Sequence, residues 1–270
     1  MVCGNKSPDI NFYESIMITV GIDIGSVTAK AAVVQNGEIL AVKIMRTGYN
    51  IKNVGEQLFE GIVSGLGLNP SDIHAVVATG YGRKSIAFAA QAVTEITCHA
   101  AGARYMNAEV RSVIDIGGQD SKVILLDETG RVRDFAMNDK CAAGTGRFLE
   151  VMARALEVDI SEFGNLAQAA TQPSAISSMC TVFAESEVIS LIAKGESREN
   201  IIAGIHDAIA ARVSSMAGRI RWTAPIMMSG GVARNSGVVE AIERKVGYPL
   251  IVSSNAQFTG AIGAALIAAA

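Results

Sequence analysis

The sequence predicts an α/β protein of two duplicated domains that face each other across a cleft. Three observations carry this. The chain resembles itself, strand patterns alternate with helix patterns in both copies, and a Gly-rich turn recurs after the same strand. Residues 21–30 read GIDIGSVTAK and residues 113–122 read VIDIGGQDSK, so Ile22, Asp23, Ile24, Gly25 and Lys30 match Ile114, Asp115, Ile116, Gly117 and Lys122. The flanks match too: Ala31–Val34 with Asn36-Gly37, and Val123–Leu126 with Glu128-Thr129-Gly130, each read as strand, turn and returning strand. Two copies at so long a period are not a solenoid, and two similar domains account for them.

In chain order, residues 1–15 contain Lys6, Pro8, Asp9 and Glu14 without an apolar core. They do not read as a signal peptide and are expected to be a leader. The first hairpin is followed by an amphipathic helix around Val54–Leu66, a strand His74–Thr79 and the turn Gly80–Arg83. After the second hairpin come helices over Cys141–Leu156, Cys180–Lys194 and Ser197–Arg221. Spacings of three and four set their buried stripes: Phe148, Leu149, Met152 and Leu156; Ala184, Val188 and Leu191; Ile201, Ile205, Ile209, Val213 and Met216. A short buried strand Pro225–Met228 leads into Ser229-Gly230-Gly231, a helix from Asn235, and a last helix Gly260–Ala270. The expected division is 16–93 plus 253–270 for the first domain and 94–252 for the second.

Composition narrows the function. The chain of 270 residues is half hydrophobic and 18% charged, enough for real cores and against extended disorder. A net charge of −3 without a basic, aromatic-interleaved block argues against nucleic acid. The apolar stretch Ala261–Ala270 is too short to span a bilayer, so no membrane is expected and the cytoplasm is the expected location. Cys3, Cys98, Cys141 and Cys180 do not suggest a disulfide scaffold in such a chain.

The glycine turns carry the chemistry. A tight turn with Gly where backbone comes close aims successive N–H groups into one small space, which suits phosphate oxygens. Gly25-Ser26-Val27-Thr28 forms one such turn, with Ala29 and Lys30 behind it, and Gly117-Gly118-Gln119-Asp120 forms the other. Facing each other, they would hold a polyphosphate from both sides. Asp23 and Asp115 end their strands beside the turns, where a carboxylate holds Mg²⁺ directly or through water. With Gln119 they are the candidates for metal and water positioning. Gly230, Gly231, Val232 and Asn235 suit the nucleoside end. No G-x-x-x-x-G-K-[ST] occurs and no G-x-G-x-x-G follows a strand, so neither a P-loop nor a Rossmann site is supported. Lys30 and Lys122 either add charge to the site or are solvated strand residues. Two hairpin phosphate loops of D-x-G type and a late G-G motif resemble acetate and sugar kinases, Hsp70 and actin. That resemblance implies actin-like (ribonuclease H-like) domains, with ATP or ADP and Mg²⁺ in a cleft that closes by hinge motion.

Cys141 and Cys180 are each placed at an expected helix start, where the positive end of the helix dipole favours a thiolate. Two thiolates are short of the four that a [4Fe–4S] cluster takes, and a two-fold homodimer doubles them. A shared Zn²⁺ site and plain core packing remain open on spacing alone. The surrounding words add to this. NDKCAAGTGRFLE and SSMCTVFAESEVIS, with ATGYGR, VIDIGGQDSK, IIAGIH and SGGVARNSG, resemble the activators of 2-hydroxyacyl-CoA dehydratases and the ATPase subunits of benzoyl-CoA reductase. Met179 departs from the small polar residue expected before the second cysteine. The resemblance implies that Cys141 and Cys180 ligate one [4Fe–4S] cluster shared across a homodimer. It also implies ferredoxin or flavodoxin as donor and a dehydratase- or reductase-type iron–sulfur enzyme as acceptor. Cys98 reads as core packing. The rival readings are a small-molecule kinase, for example of an amino sugar, and an actin-like scaffold without enzymatic output. The few histidines (His74, His99, His206) exclude an H-E-x-x-H site, and no Ser–His–Asp grouping is apparent.

Overall fold

A computed structural model describes residues 16–177 and 180–270. The leader, Cys3 and Met179 lie outside the described residues. The first half opens with β1 (Ile18–Ile24), β2 (Thr28–Gln35) and β3 (Glu38–Arg46). Every residue of β1 is buried, so it runs centrally, whereas β3 has no fully buried residue and forms an edge. Asn36 and Gly37 take φ of 50° and 86° to turn the chain between β2 and β3. Helix α1 (Ile51–Val63) starts three residues earlier than expected, because the Asn50 side chain accepts from Asn53 N. Its end tightens into a 3₁₀ turn over Ser64–Leu66 and stops at Gly67, φ 70°. Strands β4 (Ala75–Thr79) and β5 (Gln91–Ala92) complete the sheet in the order β3-β2-β1-β4-β5.

The second half repeats the plan with β6 (Ser112–Ile116), β7 (Ser121–Leu126), β8 (Val132–Asn138), β9 (Ile226–Ser229) and β10 (Leu250–Val252). Their order, β8-β7-β6-β9-β10, matches the first sheet strand for strand. The duplication reaches the register. Asp23 pairs with Lys30 and stands beside Thr79; Asp115 pairs with Lys122 and stands beside Ser229.

Helices α2 (Glu95–Met106) and α8 (Thr259–Ala268) fill the space between the sheets. Ala261, Ile262 and Ala265 of α8 pack on Ala32 and Val34, while Ala100 and Ala103 of α2 pack on Val113, Ile124, Leu126 and Met227. Helix α1 covers the outer face of the first sheet. Five helices cover the second: α3 (Gly146–Leu156), α4 (Phe163–Gln168), α5 (Thr181–Ala193), α6 (Arg198–Ile220) and α7 (Ser236–Val246). The α6 stripe is buried at every predicted position. In α5, Ala184 and Val188 are buried and Leu191 is half-buried against the same core. No described helix is long and apolar enough to cross a membrane.

The central helices touch backbone to backbone. A Cβ on Gly263 would lie 1.8 Å from the Cys98 carbonyl oxygen. Gly263→Ala is therefore expected to destabilise the fold by about 2–3 kcal/mol, read as a lower urea midpoint. Gly218→Ala in α6, where a Cβ meets nothing within 4 Å, is expected to raise it by about 0.5–1 kcal/mol.

Candidate nucleotide site

Both phosphate turns are built by the same hydrogen bonds. Gly25 N donates to the Thr28 carbonyl at 3.1 Å, and Gly117 N to the Asp120 carbonyl at 2.9 Å. Thr47 steadies the first turn, its hydroxyl donating to the Gly25 carbonyl at 2.7 Å. The turns meet across the gap: a Cβ on Gly118 would lie 2.5 Å from Val27 Cγ2 and 3.6 Å from Ser26 Oγ. Together they wall a cavity of about 780 Å³, within the usual range of small-ligand sites. Its lining includes Asp23, Gly25–Thr28 and Lys30 from the first half, and Asp115, Gly117–Asp120 and Lys122 from the second. Gly230, Gly231, Val232 and Asn235 close it. Ala29 does not line it, because alternation along β2 turns its side chain into the first core.

The equivalence extends to a pair of motifs that were read separately in the sequence. Gly80 and Gly230 both have φ 87°, and a Cβ there would lie 2.5 Å from Asp23 Oδ1 and 2.8 Å from Asp115 Oδ1. Thr79-Gly80 of ATGYGR and Ser229-Gly230 of SGGVAR are thus equivalent points of the two halves. Each lays a left-handed glycine against the carboxylate that closes the neighbouring strand.

The two lysines differ. Lys30 reaches Asp23 at 3.5 Å. Lys122 is no solvated strand residue: at 1% exposure, its Nζ lies 2.9 Å from Glu95, 3.1 Å from Asp115 and 2.8 Å from Asp120. Burial disfavours the ammonium, but three carboxylates outweigh that and hold its pKa above the ordinary lysine value. Burial likewise opposes ionised Asp115, 2% exposed. The His99 ring, the Lys122 ammonium and the Ser229 hydroxyl overcome it and keep the carboxyl well below its usual range.

Sequence reasoning missed Glu95, His99 and Ser229. Glu95 and His99 stand four residues apart on α2, one face of a helix, and that spacing was the available signal. The fold does group Asp115, Ser229 and His99: Ser229 Oγ donates to Asp115 Oδ1 at 2.9 Å, and His99 Nδ1 lies 3.2 Å from Ser229 Oγ. Ser229 is fully buried with its proton committed to Asp115, so it is not a nucleophile.

Asn235 caps α7, accepting from Val238 N at 3.1 Å, and its amide lies 3.3 Å from His206 Nε2. Burial first, then the Arg244 charge, lowers the His206 pKa from 6.5 to about 4. The unfolded chain binds a proton on this ring below about pH 6.5 and the folded chain does not until about pH 4. Stability is therefore lost as pH falls through that window. The expected loss is about 2 kcal/mol between pH 7.5 and pH 5. Urea unfolding at both pH values should show it in the wild type and not in His206→Gln.

The cysteines divide. Cys180 is exposed at the N-cap of α5, as expected. Cys141 does not begin a helix. It is half-buried in a loop, and α3 starts at Gly146 because Gly144 (φ 83°) and the extended Thr145 interrupt the turn. Helices α3 and α5 pack against each other. Beside Cys180, Val182 and Phe183 are 66% and 68% exposed. Cys98 is fully buried in the core, its thiol pushed up to about 12 by burial, so it is inert packing. Among the described residues, no three His, Cys, Asp or Glu gather to hold a metal.

Comparison with known proteins agrees with this architecture. Residues 20–268 match the BadF/BadG/BcrA/BcrD ATPase family. The 2-hydroxyisocaproyl-CoA dehydratase activator of Clostridioides difficile is 48% identical over 93% of this chain and 95% of its own. The structure of the activator of the 2-hydroxyisocaproyl-CoA dehydratase from Clostridium difficile with bound ADPNP superposes with a TM-score of 0.88 at 47% identity, covering 93% of this chain and 94% of that one. Component A of (R)-2-hydroxyglutaryl-CoA dehydratase from Acidaminococcus fermentans gives 0.90 at 44% identity, covering 93% and 97%. The two matching sheets are the duplicated domains of the actin-like ATPase fold. The chain belongs to the BadF/BadG/BcrA/BcrD ATPase family.

Proposed function

We propose that the chain is an ATP-hydrolysing activator that delivers a low-potential electron to a 2-hydroxyacyl-CoA dehydratase-type enzyme. The observation that carries this is the pairing of two facing phosphate turns with two solvent-reached cysteines whose following helices pack together. The relatives bear activator names, which sets the kinase reading aside.

The N–H groups of Ser26–Thr28 and of Gly118 and Gln119 would take the phosphates, with those of Gly25 and Gly117 closing the turns. Asp23 and Asp115 would hold Mg²⁺ directly or through water, and Gln119 would orient the attacking water. Gly230, Gly231, Val232 and Asn235 would take the nucleoside. The bodies that close on ATP are 16–93 with 253–270, and 94–252. ATP drives closure only by binding the closed shape more tightly.

The donor set fits a shared cluster. Cys180 sits at a helix N-terminus, Cys141 is within reach of solvent, and Val182, Phe183, Ile189 and Ile192 form an exposed apolar face for a second copy. A [4Fe–4S] cluster bound by Cys141 and Cys180 of two protomers would supply a one-electron carrier. Ferredoxin or flavodoxin would be the donor, in the cytoplasm.

Anaerobic purification tests the reading. A brown protein with about four iron and four sulfide per dimer is expected. Cys141→Ser and Cys180→Ser should each emerge colourless with intact ATP binding. A colourless wild type, or a Cys141→Ser protein that keeps its iron, overturns it.

A further inference from the structure

Cys141 lies between two anchors, and both hold the second phosphate turn. On one side Asn138 ends β8 directly across from Ser121, which follows the turn Gly117–Asp120. On the other, the N–H groups of Gly146 and Arg147 donate to the carbonyls of Gly117 (2.9 Å) and Gly118 (2.8 Å). Residues 139–145 alone join the anchors, and they have little slack. Thr145, fully buried, folds the segment back, its hydroxyl donating to the Ala142 carbonyl at 2.6 Å. Asn138 Nδ2 donates to the Cys141 carbonyl at 2.8 Å. Arg212 of α6 donates in turn to Asn138 Oδ1 at 3.3 Å. The Arg212 stem presses on Gly144, where a Cβ would lie 2.9 Å from its Cδ and φ is 83°. At Gly146 a Cβ would come within 3.2 Å of the Gly117 oxygen, so that contact has no room to give.

We infer that residues 139–145 form a strut that moves Cys141 with the second phosphate turn, and that Asn138 and Arg212 are positioning residues that keep it stiff. This rests on the activator reading, since it assigns nucleotide control of one of its cysteines. A segment this short, bonded at both ends to one turn, transmits a displacement of that turn instead of absorbing it. Cys180 is held differently: it caps α5, whose Glu187 carboxylate accepts from Ser177 N at 3.1 Å. Nucleotide signals through Arg212 should therefore reach Cys141 and not Cys180.

The test uses metal-free full-length chain under anaerobic conditions. Iodoacetamide alkylation of Cys141 and Cys180 is followed by peptide mass spectrometry, with and without Mg²⁺ and the non-hydrolysable analogue ADPNP. In the wild type the analogue should change the Cys141 rate by about fivefold or more. In Arg212→Gln and Asn138→Ala that change should fall below about twofold, with ADPNP affinity within about threefold of wild type and Cys180 unaffected. Arg212→Lys should restore most of the response. A full nucleotide response at Cys141 in both Arg212→Gln and Asn138→Ala overturns the strut, as does a wild type without response. Iron retained by Cys141→Ser sinks the activator reading instead, and leaves the alkylation result standing.

Discussion

Lys122→Met should destabilise the protein by about 3–5 kcal/mol at neutral pH, the scale for removing one partner of a buried ion group. Methionine preserves the stem, so packing changes little. What is lost is one ammonium shared by Asp115, Glu95 and Asp120 at 3.1, 2.9 and 2.8 Å. Asp120 and Glu95 have access to solvent; Asp115, 2% exposed, keeps only His99 and Ser229. Burial then faces one cation fewer, so the Asp115 pKa should rise from the depressed value it holds in the wild type. The sign of the pH response follows. In the wild type the depressed carboxyl adds stability that is present above 3.8 and lost as pH falls below it. In the variant that contribution is smaller, so less of it is lost over the same fall in pH. The quantity to measure is the difference in unfolding free energy between variant and wild type at about pH 7.5 and pH 3. The His206 contribution cancels in that difference, which should shrink at the lower pH. A difference that stays constant would show that Lys122 does not hold Asp115 ionised.

Asp115→Asn should lower ATP turnover by about 10²-fold or more, the usual scale for removing a group that organises transition-state charge. The amide preserves shape and still accepts from Ser229, while Lys122 keeps Glu95 and Asp120. The fold should therefore survive, and the loss should appear in kcat more than in folding stability. Asp23→Asn is the natural comparison, because Asp23 occupies the same register and turn in the first domain. It meets a single lysine at 3.5 Å and is more exposed, at 7%. Its replacement should weaken Mg²⁺-dependent nucleotide binding while costing less stability. Steady-state ATPase assays with Mg²⁺ titration separate the two; turnover within about threefold of wild type in Asp115→Asn would remove that residue from the chemistry.

Much of this site could be read from the letters alone. The repeat of I-D-I-G with a lysine downstream placed both turns, both carboxylates and both lysines at equivalent points of two sheets. That works because a hairpin register is a local property: side-chain alternation and turn length set it within a dozen residues. Three- and four-residue spacing likewise located the α6 stripe. Local reasoning failed at Cys141, where helix-compatible residues run up to a glycine that takes a left-handed φ, and at Ala29, where alternation sends the side chain inward.

Glu95, His99 and Ser229 needed the tertiary structure. They lie outside the β6–β7 hairpin: the packing of α2 between the sheets brings Glu95 to Lys122 and His99 to Asp115, and the parallel pairing of β9 with β6 brings Ser229. No pattern within one window shows whether a lysine will be buried, either. Lys30 and Lys122 occupy matching positions in the repeat, yet of the two only Lys122 is met by an acidic side chain from a neighbouring helix, Glu95 of α2. Hydrophobic period and turn chemistry are encoded along the chain; charge compensation in the interior depends on which distant groups share a low-dielectric space, and folding alone decides that.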